Sequence, residues 1–316
     1  MISIVVPVFN EEESLDAFFA ELWKQITLLD EKFEIIFVDD GSSDTSLSLL
    51  QAYAKQHPHI VHVFSFRRNL GKSEALTCGF AKAKGEYIVT LDADLQDKPS
   101  EIGKLLAKSK AGVDLVCGWR KDRQDSQNAV LSSKLFNIFA GLFWGLRLHD
   151  YNCGLKVYRK DAAKSLYLYG GMHRFIPLLA YQQGFTVEEV AVNHAERKFG
   201  ESKYAKGVFK IFQNLPDMFT MLFLAKYSKR PFHFFGFAGG ALLVLGLIIF
   251  AYLVILWLTG ESIGRRPLFF TSILLIISGL QTFFTGFLAD LIINASQTAQ
   301  PLDKKQFSLK YSTDKI

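Results

Sequence analysis

The sequence predicts an α/β fold built on a mostly parallel sheet and followed by a membrane-spanning region. Three observations predict it. Short β-branched runs alternate with amphipathic stretches over roughly the first 196 residues, carboxylates recur where those runs end, and apolar residues concentrate toward the C-terminus. Alternation of this kind, with strands that are apolar almost throughout, belongs to sheets covered by helices on both faces.

Taken in order, candidate strands occupy residues 2–9, 34–40, 60–66, 87–92 and 114–118, and helical patterns occupy 12–28, 45–56, 73–83 and 100–110. Met1 to Val8 lacks a basic leader region and reads as the first strand rather than a signal peptide. Ligands gather at the carboxyl ends of strands in such sheets. Acidic residues stand there: Asp39 and Asp40 close the second candidate strand, Asp92 and Asp94 the fourth.

Beyond Glu196 a basic segment, 197–210, leads into a helical stretch that Pro216 is expected to split. Residues 232–258 and 268–293 then carry almost no charge before Asp290, and each is long enough to cross the hydrocarbon of a bilayer as a helix. Lys226, Lys229 and Arg230 precede the first span, and Lys304, Lys305, Lys310 and Lys315 follow the second. Both flanks are therefore expected on the cytoplasmic side, against the smaller pull of Arg265 and Arg266 in the connecting loop. A shorter apolar stretch, 135–146, cannot span and reads equally as an interfacial or a core helix.

The 316 residues are 49% hydrophobic with a mean hydropathy of +0.16, an excess that the C-terminal runs account for. The three cysteines, Cys78, Cys117 and Cys153, lie far apart without pairing or ligand spacing, so neither a disulfide framework nor a zinc site is suggested, and a reducing compartment fits best. A net charge of +5 favours a membrane surface or phosphorylated ligands and does not call for nucleic acid.

Asp92-Ala-Asp94 at the end of an extended run places two carboxylates on one side of the backbone, and Gln96 adds a third oxygen two residues on. Oxygen donors suit Mg²⁺ or Mn²⁺ rather than zinc. A metal held there bridges a diphosphate and neutralises charge on a leaving group. Acidic pairs at strand ends also serve as turn or cap residues; the preceding apolar strand, with Gln96 and Pro99 following, favours the metal. Gly71-Lys72-Ser73 looks like the end of a phosphate loop, but Phe66 occupies the position of its required first glycine. The turn after the first strand, Pro7-Val-Phe-Asn10-Glu11-Glu12, has no glycine fingerprint, which argues against a dinucleotide oxidoreductase.

Six motifs follow one another in a single order: Pro7-Val-Phe-Asn-Glu11, Val38-Asp-Asp-Gly-Ser-Ser-Asp44, Arg68-Asn-Leu-Gly-Lys72, Leu91-Asp-Ala-Asp-Leu-Gln96, Asp150-Tyr-Asn-Cys-Gly154 and His194-Ala-Glu-Arg-Lys-Phe-Gly-Glu-Ser-Lys-Tyr204. In that order they resemble family 2 glycosyltransferases, in the dolichol-phosphate mannose synthase-like branch that acts on polyprenyl phosphates. The match covers about two thirds of the chain, and the pair of C-terminal spans resembles the bacterial polyprenyl-phosphate glucosyltransferase subgroup.

The resemblance implies a GT-A fold and an inverting, metal-dependent transfer of a hexose, UDP-glucose being the first expectation, to undecaprenyl phosphate at the cytoplasmic face of the bacterial inner membrane. It implies that Pro7, Phe9, Asn10, Glu11 and Asp40 line the nucleotide pocket, Asp40 accepting a hydrogen bond from the base. Phe9 stands where the family commonly has tyrosine, so its ring can still pack but offers no hydroxyl. Asp92, Asp94 and Gln96 take Mg²⁺ or Mn²⁺ and the diphosphate; Lys72, Arg120, Arg197 and Lys203 meet phosphates, with Ser202 and Tyr204 in the acceptor segment. Asp94, Asp150 and Arg197 are the catalytic candidates. Asp150 is a candidate base, although a phosphate monoester acceptor is already ionised near neutral pH and needs little deprotonation; positioning the acceptor or an arginine is its other reading.

The expected layout is a GT-A domain at 1–200, juxtamembrane or interfacial helices at 201–230, the spans within 231–294 and a cytoplasmic tail at 295–316. A homo-oligomer is expected, a tetramer by the resembling subgroup, with Gly236, Gly239, Gly240, Gly246, Gly279 and Gly286 permitting close helix packing. A processive polysaccharide synthase shares the paired aspartates, but its usual Gln-x-x-Arg-Trp motif is missing, since Trp119-Arg120 runs in the opposite order. A membrane-anchored, non-catalytic nucleotide-sugar binder is the remaining alternative.

Overall fold

The computed structural model describes residues 1–29, 31–121, 145–195, 227, 231–264, 266–296 and 309–312. The chain divides into two units, Met1–Asp217 with Pro301–Ile316, and Met218–Gln300. In the first, β1 (Ile2–Val8), α1 (Leu15–Thr27), β2 (Phe33–Asp39), α2 (Ser46–Gln56), β3 (Val61–Phe66), α3 (Lys72–Lys82), β4 (Tyr87–Thr90), α4 (Ile102–Lys110) and β5 (Leu115–Arg120) alternate as the sequence predicts. They are followed by β6 (Lys156–Arg159), α5 (Lys160–Ser165), α6 (Ile176–Gln182) and β7 (Val187–Val192). The second unit is a helical pair, α7 (Pro231–Leu258) and α8 (Pro267–Ser296), after which β8 (Leu309–Ser312) returns to the first.

Among the described residues the sheet has eight strands in the order β7-β5-β6-β4-β1-β2-β3-β8. β1 runs parallel to β2 and β4, β2 to β3, and β5 to β7; β6 is antiparallel to both β4 and β5, and β8 is antiparallel on β3. This is the mostly parallel sheet of a GT-A fold. Its central strands are buried almost residue by residue, because helices cover them: α1 presents Leu15, Phe18, Phe19, Leu22 and Ile26 at helical spacing to the core. Each such side chain contributes about 1.5–3 kcal/mol of transfer free energy on burial.

The structure differs from the sequence reading in specific places. β4 stops at Thr90, so Asp92 lies beyond the strand. β6 and β7 carry Lys156, Arg159, Glu188 and Glu189 and do not read as apolar runs; β7 is an edge strand, where charge is normal. The segment expected as a tail supplies β8, whose four residues close the β3 edge.

In the second unit, α7 has 28 residues, about 42 Å at 1.5 Å per residue, and both helices are long and apolar enough to cross a membrane. Large apolar side chains point outward, among them Phe237 (82% exposed) and Leu274 (67%). Pro231 and Pro267 open the two helices, where a missing N–H costs nothing. A Cβ at Gly239 would stand 2.5 Å from the Phe283 amide nitrogen, and one at Gly279 2.6 Å from that of Leu243. These glycines therefore serve the packing of α7 on α8 within one chain. Asp290, the acidic residue of α8, accepts the Phe232 N–H at 3.4 Å.

Candidate active site

The carboxyl ends of β1 and β2 are tied by a lattice of short polar side chains. Asn10, with φ +51°, donates its N–H to Ser42 Oγ (3.0 Å) and accepts the Ser43 N–H on Oδ1 (2.8 Å). The Glu11 N–H goes to Ser46 Oγ (2.9 Å), and the Glu12 carboxylate accepts the Thr45 N–H (3.0 Å). Asp39 turns back to accept Ser65 Oγ–H at 2.6 Å and the Ser42 N–H at 3.1 Å. Pro7 and Phe9 sit half-buried beside this lattice. The sequence thus places Pro7, Phe9, Asn10, Glu11 and Asp40 together, as expected for adjacent parallel strands.

Asp40 is 4% exposed and accepts the N–H groups of Leu70 (2.7 Å) and Gly71 (3.0 Å). It anchors the loop that delivers Lys72 at the start of α3. Burial raises its pKa to about 6; the two amide bonds pull the other way, and Glu74 and Asp39 add to the rise.

Lys72 Nζ bridges both oxygens of Asp92 at 2.6 Å each. Asp92 to Gln96 is not an extended run. Leu95 takes φ +59°, a left-handed conformation that costs a β-carbon residue about 1–2 kcal/mol, and the Gln96 N–H caps Asp94 Oδ1 at 3.2 Å. The carboxylates are gathered by a turn instead of strand alternation. Gly154 is packed against them: a Cβ there would lie 2.6 Å from Asp92 Oδ2. Asp92, Asp94 and Gln96 are each partly exposed. Two accessible carboxylates with an amide oxygen fit a hard divalent cation that completes its shell with phosphate and water, and the Lys72 ammonium shows that Asp92 is arranged to face a cation. Among the described residues no group of three or more His, Cys, Asp or Glu side chains makes a full cage.

Arg120, at the end of β5, and Asp150 form a two-pronged pair, Nε to Oδ2 at 2.6 Å and Nη2 to Oδ1 at 3.1 Å. Burial alone would lower the Arg120 pKa, but the Asp150 carboxylate outweighs it and holds the guanidinium firmly charged. Asp150 also accepts the Asn152 N–H at 3.0 Å, which shapes the turn toward Gly154.

Sequence reasoning passed over Asp97, directly after Gln96. It is buried, accepts the Leu155 N–H at 3.0 Å, and lies 3.5 Å from His194 Nδ1, which has no hydrogen-bond partner of its own among the described residues. At that distance the contact is electrostatic more than a formed hydrogen bond. Burial pushes the Asp97 carboxyl up, but His194, Arg120 and Lys72 prevail and hold it below the usual range. The Ala195 N–H donates to the Gln96 carbonyl at 2.9 Å, so the chain is fastened to the carboxylate loop two residues before Arg197. Arg197, Ser202, Lys203 and Tyr204 themselves lie outside the described residues, as does most of 135–146. A buried aspartate beside Pro99 in an otherwise polar loop was the available signal.

The family model for Glycosyl transferase family 2 matches residues 3–167. The chain is 35% identical over 298 residues to a dodecaprenyl-phosphate galacturonate synthase of Rhizobium johnstonii, covering 92% of this chain and 87% of that protein. It is 34% identical to an undecaprenyl-phosphate 4-deoxy-4-formamido-L-arabinose transferase of Proteus mirabilis, over 92% of this chain and 88% of that one. Among solved structures, glucosyl-3-phosphoglycerate synthase from Mycobacterium tuberculosis, in complex with Mn²⁺, UDP-glucose and phosphoglyceric acid, superposes with a TM-score of 0.52 at 17% identity, over 71% of this chain and 79% of that one. That likeness speaks to the fold.

Proposed function

Since the chain belongs to glycosyl transferase family 2, we propose that it transfers a sugar from a uridine diphosphate donor to a polyprenyl phosphate, with inversion, at the cytoplasmic face of a bacterial inner membrane. The carrying observation is the Lys72–Asp92 contact, which joins the loop held by Asp40 to the carboxylate turn at the mouth of the sheet. A donor laid across these loops has its base near Asp40 and its diphosphate near Asp92, Asp94 and Gln96. Those three residues would hold Mg²⁺ or Mn²⁺, whose chemistry is to neutralise charge on the departing diphosphate.

The acceptor follows from the two relatives, both named for polyprenyl-phosphate products, and from the apolar helical pair. A phosphate oxygen of the acceptor attacks the anomeric carbon, the bond from that carbon to the diphosphate breaks, and the nucleoside diphosphate leaves. The attacking oxygen is already ionised, so Asp150 serves by fixing Arg120 toward the phosphates. Arg197, Lys203, Ser202 and Tyr204 complete the acceptor end. β8 brings the chain back to the sheet after the second apolar helix, which supports an even number of crossings with both flanks on one face; that this face is cytoplasmic follows from the lysines and arginines of those flanks.

Glucose is the donor sugar expected from the sequence; galacturonate and 4-deoxy-4-formamido-L-arabinose, from the relatives' names, widen the donor set to be screened. The test is a donor screen with the full chain in nanodiscs, undecaprenyl phosphate as acceptor, with and without chelator. Metal-dependent appearance of label in the lipid fraction is expected. Release of free sugar with none in lipid, or growth of a polymer, overturns the proposal. Light scattering of the same preparation reports whether the chain is a tetramer, the assembly proposed for it.

A further inference from the structure

Among the described residues the sheet holds a buried cation, Lys156, to which the transfer mechanism gives no role. Lys156 opens β6 and is 3% exposed. Its ammonium meets the carbonyl oxygen of Cys153, and among the described residues no carboxylate lies within ion-pair distance of it. An ammonium taken out of water without a counter-charge is costly to keep, and removing it in favour of an apolar side chain is commonly neutral or stabilising. Such a group persists where something anionic is to be bound.

The register identifies what reaches it. Lys156 pairs with Thr90, two residues behind Asp92, so its backbone stands about 7 Å deeper along the sheet than that of the carboxylate turn, and its side chain reaches back from there to the Cys153 carbonyl. A cavity of about 20 Å³ lies between, lined among others by Lys72, Asp92, Asn152, Lys156, Tyr158 and His173. Its mouth is the partly exposed Lys72–Asp92 pair and its floor is Lys156. That volume admits one small polar group and not a sugar ring. His173 is driven by burial, and then by the nearby cations, to a pKa of about 3, so it stays neutral and leaves Lys156 as the floor's positive charge. The diphosphate belongs outside, with Asp92 and Asp94; the part of the donor that passes beyond Asp92 is a substituent on the sugar.

We propose that Lys156 binds an acidic substituent of the donor sugar, so that the enzyme selects a nucleotide hexuronate over a neutral hexose. This rests on the sugar-transfer function proposed above. A carboxylate in the cavity supplies the counter-charge that Lys156 lacks, with the Asn152 amide and the Tyr158 hydroxyl available as donors. A hydroxymethyl group there leaves the ammonium uncompensated.

The experiment measures binding of UDP, UDP-glucose, UDP-glucuronate and UDP-galacturonate by calorimetry to the full chain in nanodiscs, for the wild type, Lys156→Met and Lys156→Arg. The wild type is expected to bind at least one hexuronate tenfold or more tighter than UDP-glucose. Lys156→Met should lose that margin with its affinity for UDP and its melting temperature undiminished, and Lys156→Arg should keep most of it. Equal wild-type affinity for UDP-glucose and both hexuronates overturns the proposal without recourse to any variant. Equal weakening of UDP and every donor in Lys156→Met also overturns it, making Lys156 a diphosphate contact. Lipid transfer of glucose with no hexuronate preference would leave the transfer function standing and remove this inference; a hexuronate preference with no transfer to lipid would do the reverse.

Discussion

Two ion pairs stand at the carboxyl end of the sheet, and they differ in burial, which decides what an ion pair does. Each shares two hydrogen bonds, but Arg120 and Asp150 are 11% and 3% exposed and are joined through a planar guanidinium, whereas Lys72 and Asp92 are 28% and 31% exposed and are joined through one ammonium nitrogen. Breaking a buried pair strands a charge in a poor solvent; breaking an open one returns both partners to water at little cost. The first pair is thus a fixture that aims a guanidinium, and the second is a contact that a metal-bound diphosphate can displace. The site combines a rigid wall with an exchangeable mouth.

The largest expected effect comes from breaking the wall. Arg120→Ala takes the two-pronged partner from the buried Asp150 carboxylate and should cost about 3–5 kcal/mol in chemical denaturation, with transfer abolished. Asp150→Asn keeps the shape and one acceptor oxygen. It should reduce kcat by about 100-fold or more, through loss of Arg120 alignment, with nucleotide binding retained. Substantial turnover in Asp150→Asn would remove that residue from the catalytic set. At the mouth the balance reverses: Asp92→Asn or Asp94→Asn should cut kcat by about 100- to 1000-fold while changing stability by no more than about 1 kcal/mol. Thorough chelation should reproduce that activity loss in the wild type. A large drop in melting temperature for Asp92→Asn would erase the distinction between the two pairs.

Much of this arrangement was legible in the sequence, for a physical reason. Parallel strands must be apolar to be buried on both faces, so β1 to β5 announce themselves, and the polar residues that end them mark the binding edge. What escaped is what depends on packing between distant segments. Asp150 and Arg120 are each named from the sequence, but their pairing with one another appears only once the two segments are folded together. Asp92, Asp94 and Gln96 are gathered by a different geometry from the extended run expected, since the left-handed Leu95 folds a turn that no residue type there demands. β6 escaped because it is only four residues long and begins and ends on a cation, Lys156 and Arg159. β8 is short, polar and far along the chain from β3.

A smaller effect should follow from Asp97, which lies between wall and mouth. Its carboxylate holds the Leu155 N–H, and with it the backbone against Asp92, while His194 fastens the start of the acceptor segment. Asp97→Asn should cost about 1–3 kcal/mol. Because both loops loosen, KM for the lipid acceptor should rise roughly tenfold, a change of about 1.4 kcal/mol, more than KM for the donor. Equal rises in both would reduce Asp97 to a folding residue.

The smallest effect concerns Asp40 and appears only as a dependence on pH. Its pKa is about 6 when folded and 3.8 otherwise, so between those values the native state binds the extra proton. The sign follows from linkage: the stability contributed by the neutral form is complete below about pH 3.8 and is lost as pH rises through 6. Base recognition runs the other way, because an ionised carboxylate accepts a uracil N–H more strongly than a neutral carboxyl does. UDP affinity should therefore rise with pH through about 6 by up to roughly tenfold per unit and level off above it. Asp40→Asn, which can still accept the Leu70 and Gly71 N–H groups on its one carbonyl oxygen, should bind UDP with little pH dependence and gain stability relative to the wild type above pH 6. Calorimetric titrations at pH 5, 6, 7 and 8 separate the two; a wild-type affinity that stays flat across them would leave Asp40 as an anchor of the Lys72 loop alone.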